Sequence, residues 1–469
     1  MHRRIWTHLR GHPVGTAAWL AVTLVVVAGY AAVHGRLLIH YLDDAWSTSF
    51  AWQWIHHGRF EDVVFRQPGT MPLLFGKTHA VALALLGEPL GWTRSHMHLV
   101  STAAIFGTGA AWYGVGRRVG LARESAAVLG FSLVLFHPLV LAANLARPDA
   151  VTLLLVSLSM LALVHQRFLW AGLAAAVAVE CHLMGVTAFF YGTAYLWVAR
   201  HELFPDRPTT RKRWGALALG VALGGLWFVA VNAPVLNTEA LRKLWHAAQD
   251  FGPDRRSAWT WLDHAFSENN HVELAVFIAA LALYVARPQT RREPLALAWL
   301  AAILFCAALV RRQNGFYVVY AFPAFTFLTV RALEFRPWLL RLAFAALVVS
   351  FGVRAEQTWQ ERRSIHFEST LRQVVAAVPQ DGLPVVGLTD YWFGFQQRGF
   401  VPSAFQGDFR ALGLRSFYLV DSTIKPTGFQ WLRPELQRCR LVREIARFPD
   451  SATTEVRIEL HEAPDPRTR

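Results

Sequence analysis

The sequence predicts a polytopic α-helical membrane protein of about eleven spanning helices, with a small soluble α/β domain at its C-terminal end. Three observations predict it. Of 469 residues, 54% are apolar and only 17% charged, against about 25% charged in soluble globular domains. Apolar runs of roughly spanning length recur from residue 14 to residue 353. After about Gly352 the character changes: acidic and basic residues balance, and no long apolar run appears. With 19 Trp and 32 Phe, the chain is not disordered.

The first run, 14–39, follows Arg3, Arg4 and Arg10. It is too long for a signal-peptide core, and no A-x-A site closes it, so a retained helix with a cytoplasmic N-terminus is expected. Further apolar segments lie near 96–115, 125–144, 150–166, 168–181, 183–199, 214–232, 271–286, 294–310, 315–331 and 338–353. Alternation of sides then puts four basic clusters on one face: Arg117, Arg118 and Arg123; Arg200, Arg207, Arg211, Lys212 and Arg213; Arg287, Arg291 and Arg292; Arg331 and Arg336. Short Arg-dense loops mark the cytoplasmic side. The C-terminal domain is therefore expected outside the cytoplasm.

Two outer loops are large, near 36–95 and 234–270. Within the first, 72–90 is moderately apolar but carries Lys77, His79 and Glu88. It is read as lying along the membrane surface or partly re-entrant, because a true span would reverse the parity of every later Arg cluster. Residues 1–354 thus form a membrane unit and 355–469 a soluble one. In the latter, Phe367, Leu371, Val374, Val375 and Val378 recur at helical spacing. Val385–Leu388, Phe417–Val420 and Val456–Leu460 read as strands.

The net charge of +14 does not imply nucleic acid, because the charge sits in short clusters between apolar runs. Cys181, Cys306 and Cys439 are far apart and odd in number, and predict neither a disulfide framework nor a zinc site.

The polar signals gather at outer helix ends. Asp43-Asp44 follows the first helix, and Trp46, Phe50 and Trp54 predict a helix after it that Gly58 would close. Arg147-Pro148-Asp149 opens the fourth span. Each has an ordinary reading: Asp43 as an N-cap with Asp44 on the helix dipole, and Pro and Asp as helix-start residues. Together they place carboxylates where a lipid headgroup would lie, and ionisable groups near a bilayer are functional suspects. A base that deprotonates a hydroxyl needs such a group within hydrogen-bond reach. Glu180 and His182 would supply at most two ligands to a divalent cation, too few for a site. His56, His57, His79, His96 and His98 are scattered on the first loop, and most of them read as interfacial. No P-loop, complete dinucleotide fingerprint or Ser-His-Asp arrangement is legible.

The acidic pair after helix one, Pro68 and Pro72 in the long first loop, and Arg147-Pro148-Asp149 at helix four resemble the GT-C glycosyltransferases. The protein O-mannosyltransferases and the lipid A aminoarabinose transferases are the groups most similar. Arg311-Arg312-Gln313-Asn314-Gly315-Phe316-Tyr317, followed by Pro323, resembles the basic-Tyr…Pro stretch late in that family. The likeness covers most of residues 14–335. Two positions depart from the pattern: the usual Asp-Glu is Asp43-Asp44, and the frequent Pro-Pro-Leu is Met71-Pro72-Leu73.

The resemblance implies transfer of a sugar from a polyprenyl-phosphate donor to an envelope glycolipid, polysaccharide or protein, on the extracytoplasmic face. A phosphate leaving group needs cations rather than a general acid, and Arg matches its oxygens bidentately. On this reading Asp43 is the general base, and Asp44 and Asp149 position it or the acceptor. Arg66, Arg147, Arg311 and Arg312, with Lys77, contact phosphate; His182 and Tyr317 contact donor or acceptor; no cofactor is assigned, and a divalent cation beside Glu180 and His182 stays open. The alternative is a transporter or lipid flippase, which would put polar residues at the midplane of broken helices. Here the helix centres are apolar and the polar groups lie at the ends.

Overall fold

The computed structural model describes residues 13–36, 42–60, 75–233, 236, 271–287, 294–309, 315–363, 367–403, 409, 412–422, 432–449 and 455–464. Its first half contains α1 (Pro13–Val33), α2 (Leu42–His57), α3 (Lys77–Leu90), α4 (Arg94–Arg118), α5 (Arg123–Leu135), α6 (His137–Ala143), α7 (Pro148–Val164) and α8 (Phe168–Cys181). There follow α9 (Thr187–Val198), α10 (Arg200–Leu203), α11 (Arg207–Asn232), α12 (His271–Ala286), α13 (Leu295–Leu309), α14 (Phe322–Leu333), α15 (Pro337–Arg362) and α16 (Phe367–Ala377).

Each apolar segment named from the sequence carries helix, but several are shorter than a bilayer is thick. Among the described residues, two helices are by length and composition alone long and apolar enough to cross a membrane: α11 and the one opening at Pro337. A third qualifies if α5 and α6, bent by 62°, form one broken span. Seven more apolar helices run 10–17 residues. The breaks have local causes. Phe136 is extended ahead of Pro138, and His182 is extended after α8. Leu20, Leu24, Trp197, Leu226, Trp338 and Val349 are each more than half exposed, an apolar surface suited to lipid.

The two ends of the helix bundle differ in chemistry. At one end, Arg118 donates to the carbonyl of Val164 (3.1 Å), Arg213 to Gln166 Oε1 (2.6 Å), and Arg341 to both oxygens of Glu124 (2.6 and 2.9 Å). The carboxylates of interest lie at the other. Between them, Trp112, Tyr191 and Trp299 interlock, with Trp112 and Trp299 centroids 5.3 Å apart. Trp299 Nε1 donates to Tyr191 O (3.1 Å), and the Tyr191 hydroxyl to Tyr320 O (2.8 Å). The core thus fixes the 3₁₀ turn Gly315–Tyr320 that reaches the acidic end.

Helices α8 and α11 approach until their backbones touch. A Cβ on Gly220 would lie 2.0 Å from Leu169 O, and one on Gly172 2.3 Å from Leu217 O. Only glycine permits that crossing. It delivers Glu180 and Asn232, near the C-terminal ends of the two helices, to one place.

Helix α15 continues past Arg354 to Arg362, whose guanidinium donates to Arg36 O (2.9 Å). Beyond it lie β1 (Val385–Gly387), β2 (Phe400–Pro402), β3 (Ser416–Ser422), β4 (Arg440–Pro449) and β5 (Glu455–Glu462), in the order β2-β1-β3-β5-β4. β1 pairs parallel with β2 and β3, and β5 antiparallel with β3 and β4. The expected helix and three strands are present; β2 and β4 are additional.

Candidate functional site

Two ion-pair centres stand side by side at the acidic end, and neighbouring residues seed them. Helix α2 opens at Leu42, which puts Asp43 and Asp44 inside its first turn rather than at its cap. Gly58 closes it at φ +66°, its N–H donating to Trp54 O (3.0 Å).

Asp44 is sealed at 0% exposure. Its Oδ2 accepts from Arg94 Nε (2.7 Å) and contacts His98 Nε2 (3.0 Å), while Oδ1 accepts the Ala146 N–H (2.7 Å). Arg94 and His98 are one turn apart on α4 and so share a face. Burial alone would raise the Asp44 carboxyl. The charges of His98 and Arg94, with hydrogen bonds from His98 and Ala146, outweigh it and bring the pKa to about 2.

Asp43 faces the other way and keeps 18% of its side chain exposed. Its Oδ2 pairs with Arg147 NH1, and Arg147 Nε donates to Asp149 Oδ2 (2.8 Å). One guanidinium therefore serves two carboxylates from distant parts of the chain. Arg147 is the extended residue before α7, with Pro148 at the first helical position and Asp149 in the first turn. The turn before it is pinned from three sides: Asp44 on the Ala146 N–H, His79 Nε2 on Ala146 O (3.0 Å), and the Ser101 hydroxyl on Leu145 O. The Tyr320 hydroxyl lies 3.5 Å from Asp149 Oδ1.

A third group adjoins these. The Glu180 carboxylate caps α3, accepting the N–H groups of Lys77 (2.9 Å) and Thr78 (2.8 Å) and the Thr78 hydroxyl. Lys77 Nζ donates to Asn232 Oδ1 (2.5 Å) and sits 4.2 Å above the Phe60 ring. Burial lowers the Lys77 ammonium to about 8, with Glu180 opposing. His182 accepts the Met184 N–H at Nδ1 (3.2 Å), and its ring is 5.4 Å from that of Tyr317.

The structure thus gathers Asp43, Asp44, Arg147 and Asp149, and sets Lys77, His182 and Tyr317 around the same end of the bundle. Arg66, Arg311 and Arg312 lie outside the described residues. Of the histidines read as mostly interfacial, His79 and His98 are not: they are 3% and 0% exposed and hydrogen-bonded within the site. Arg94, Tyr320 and Asn232 went unremarked in the sequence. The available signal was Arg94 and His98 four apart at the mouth of an apolar helix. As for a metal, no group of three or more His, Cys, Asp or Glu side chains that could hold one is found among the described residues.

No protein-family model and no curated protein matches the sequence. Solved structures do match it. ArnT from Cupriavidus metallidurans bound to undecaprenyl phosphate matches with a TM-score of 0.64 at 14% identity, over 95% of this chain and 98% of that one. The apo state of the same protein gives 0.62 at 15% identity, over 94% and 97%. Over nearly its whole length, the chain shares the fold of that ArnT.

Proposed function

We propose that the protein is an integral-membrane glycosyltransferase that moves a sugar from a polyprenyl-phosphate donor to an envelope acceptor. It works on the extracytoplasmic face of a bacterial inner membrane, with inversion at the anomeric carbon. One observation carries the reading: Arg147 draws Asp43 and Asp149 together at the acidic end of a GT-C bundle, and Asp43 alone of the Asp43–Asp44 pair is partly open. The fold shared with an ArnT that binds undecaprenyl phosphate supports a lipid-linked donor.

In this mechanism the Asp43 carboxylate takes the proton of the acceptor hydroxyl as that oxygen attacks the anomeric carbon. The bond to the carrier phosphate breaks on the opposite side. Arg147 and Lys77 supply positive charge to the departing phosphate, and Arg66, Arg311 and Arg312 are assigned the same task. Asp149 orients Arg147. Asp44 touches no substrate; it holds the first turn of α2 against α4 and so aims Asp43. His182 and Tyr317 are assigned to contact the sugar or the acceptor.

The test uses purified protein in lipid nanodiscs, a panel of polyprenyl-phosphate sugars and envelope extract as acceptor. Free polyprenyl phosphate is followed for wild type and Asp43→Asn. Release from one donor that depends on Asp43 is the expected result. A folded Asp43→Asn protein with near-normal transfer would remove the assignment.

A further inference from the structure

The C-terminal unit reaches the sealed ion pair directly. Glu368, in the first turn of α16, accepts the Ser95 N–H (3.1 Å) and the Ser95 hydroxyl (3.2 Å) through one oxygen. Ser95 is next to Arg94 in the first turn of α4. The Arg94 guanidinium lies 5.0 Å from the centre of the Phe367 ring, and Phe367 stacks at 6.3 Å on Tyr391. Asp390, one residue earlier in the 3₁₀ turn Thr389–Gly394, is 1% exposed and acts on the same guanidinium, as does Glu368. The same turn packs against α2, where Trp52 meets Trp392 edge to face at 6.2 Å. Gln396 Nε2 donates to Trp92 O (2.8 Å), just ahead of α4.

Arg94 therefore answers to acids from two parts of the chain: Asp44 from the membrane unit, and Asp390 with Glu368 from beyond α15. A buried cation takes its place from all its counter-charges, and removing one leaves the rest to re-form around it. Moving Arg94 moves Asp44, whose backbone continues into Asp43.

We propose that Glu368 and Asp390 are positioning residues for the reaction: through Arg94 and Asp44 they set where the Asp43 carboxylate stands. The C-terminal unit is then part of the catalytic apparatus rather than a cover over it. The kinetic half rests on the glycosyltransferase reading; the structural half stands without it.

Both halves are read on full-length protein in nanodiscs, for Glu368→Gln, Asp390→Asn and Asp390→Glu. Amide exchange is followed across α2 and the Ala146 turn, and transfer kinetics alongside. The expected result is faster exchange in the first turn of α2 and at Ala146 for the two neutral variants, with exchange in α7 and α8 unchanged. The expected kinetic result is a fall in kcat of about tenfold with donor KM within about twofold, partly restored by Glu at position 390. Glu368→Gln keeps the test open should Asp390→Asn unfold. Unchanged exchange and unchanged kcat in folded Glu368→Gln and Asp390→Asn would overturn the proposal. So would exchange that rises uniformly over the molecule, which marks general loosening. If wild type transfers no sugar yet α2 loosens selectively, the clamp stands and the glycosyltransferase reading fails.

Discussion

Asp43 and Asp44 are adjacent in sequence yet sit in opposite environments. Asp44 has three donors and no exposure; Asp43 has one guanidinium and an open edge. Their arginines differ in the same sense, with Arg94 1% exposed and Arg147 9%. A carboxylate held by Arg, His and a backbone N–H is pinned, and pinning costs it basicity. A carboxylate with a single ionic partner at an opening can exchange that partner for a substrate. The pair teaches that one acid is locked into the frame while its neighbour keeps an edge that a substrate could reach.

The sharpest way to test this division is to remove the chemistry without the frame. Asp43→Asn is expected to lower transfer by on the order of 10²–10⁴-fold, the usual contribution of a general base. Its thermal unfolding in detergent should match wild type within a few degrees. A matching loss of stability would mean that the two acids share a structural role after all.

The converse attacks the frame. Arg94→Ala leaves Asp44 buried beside His98 without its guanidinium, at a cost of about 3–5 kcal/mol. Calorimetry should show a large drop in Tm. A stable Arg94→Ala protein would show that the sealed centre does not hold α2.

A smaller effect is expected at the third group. Glu180→Ala strips the cap from α3, costing about 0.5–2 kcal/mol, and releases Thr78 and the Lys77 backbone. Faster amide exchange in the first turn of α3, with α7 unchanged, is the expected signature.

The smallest effect is read by pH. The folded chain releases the Lys77 proton near 8, whereas an unperturbed lysine keeps it to 10.5. The unfolded state thus binds more protons between those values, and this group's contribution to stability rises with pH across them. Activity runs the other way, because the cation is lost. Transfer should decline above about pH 8 with Lys77 as a phosphate contact, and Lys77→Arg should move that limb upward. An unmoved limb would take Lys77 out of the donor site.

The sequence carried the helices well, because a long apolar run between arginine clusters has few other fates. It carried β1, β3 and β5 through short Val- and Leu-rich runs. Strand β2 is three residues long. Strand β4, Arg440–Pro449, interleaves Arg440, Arg443, Glu444 and Arg447 with its apolar residues on a largely exposed edge, which hides the alternation of a half-buried strand. The site was legible as acids at helix starts. The resemblance alone set Asp43 ahead of Asp44; the physical difference between them depends on Arg94, His98 and Ala146, which only tertiary structure brings near. His98 fell among the histidines read as mostly interfacial for the same reason: its partner lies 54 residues away.

The glycine crossing of α8 and α11 works as a pivot. About 12 Å of helix separates Gly172 from Glu180, and about 18 Å separates Gly220 from Asn232. A change of roughly 5° in crossing angle displaces those ends by about 1–1.5 Å. The two levers meet at Lys77, one on its backbone N–H and the other on its ammonium. A methyl added at the fulcrum, or a bilayer of different thickness tilting α11, would therefore arrive at the lysine as a misalignment of hydrogen-bond size.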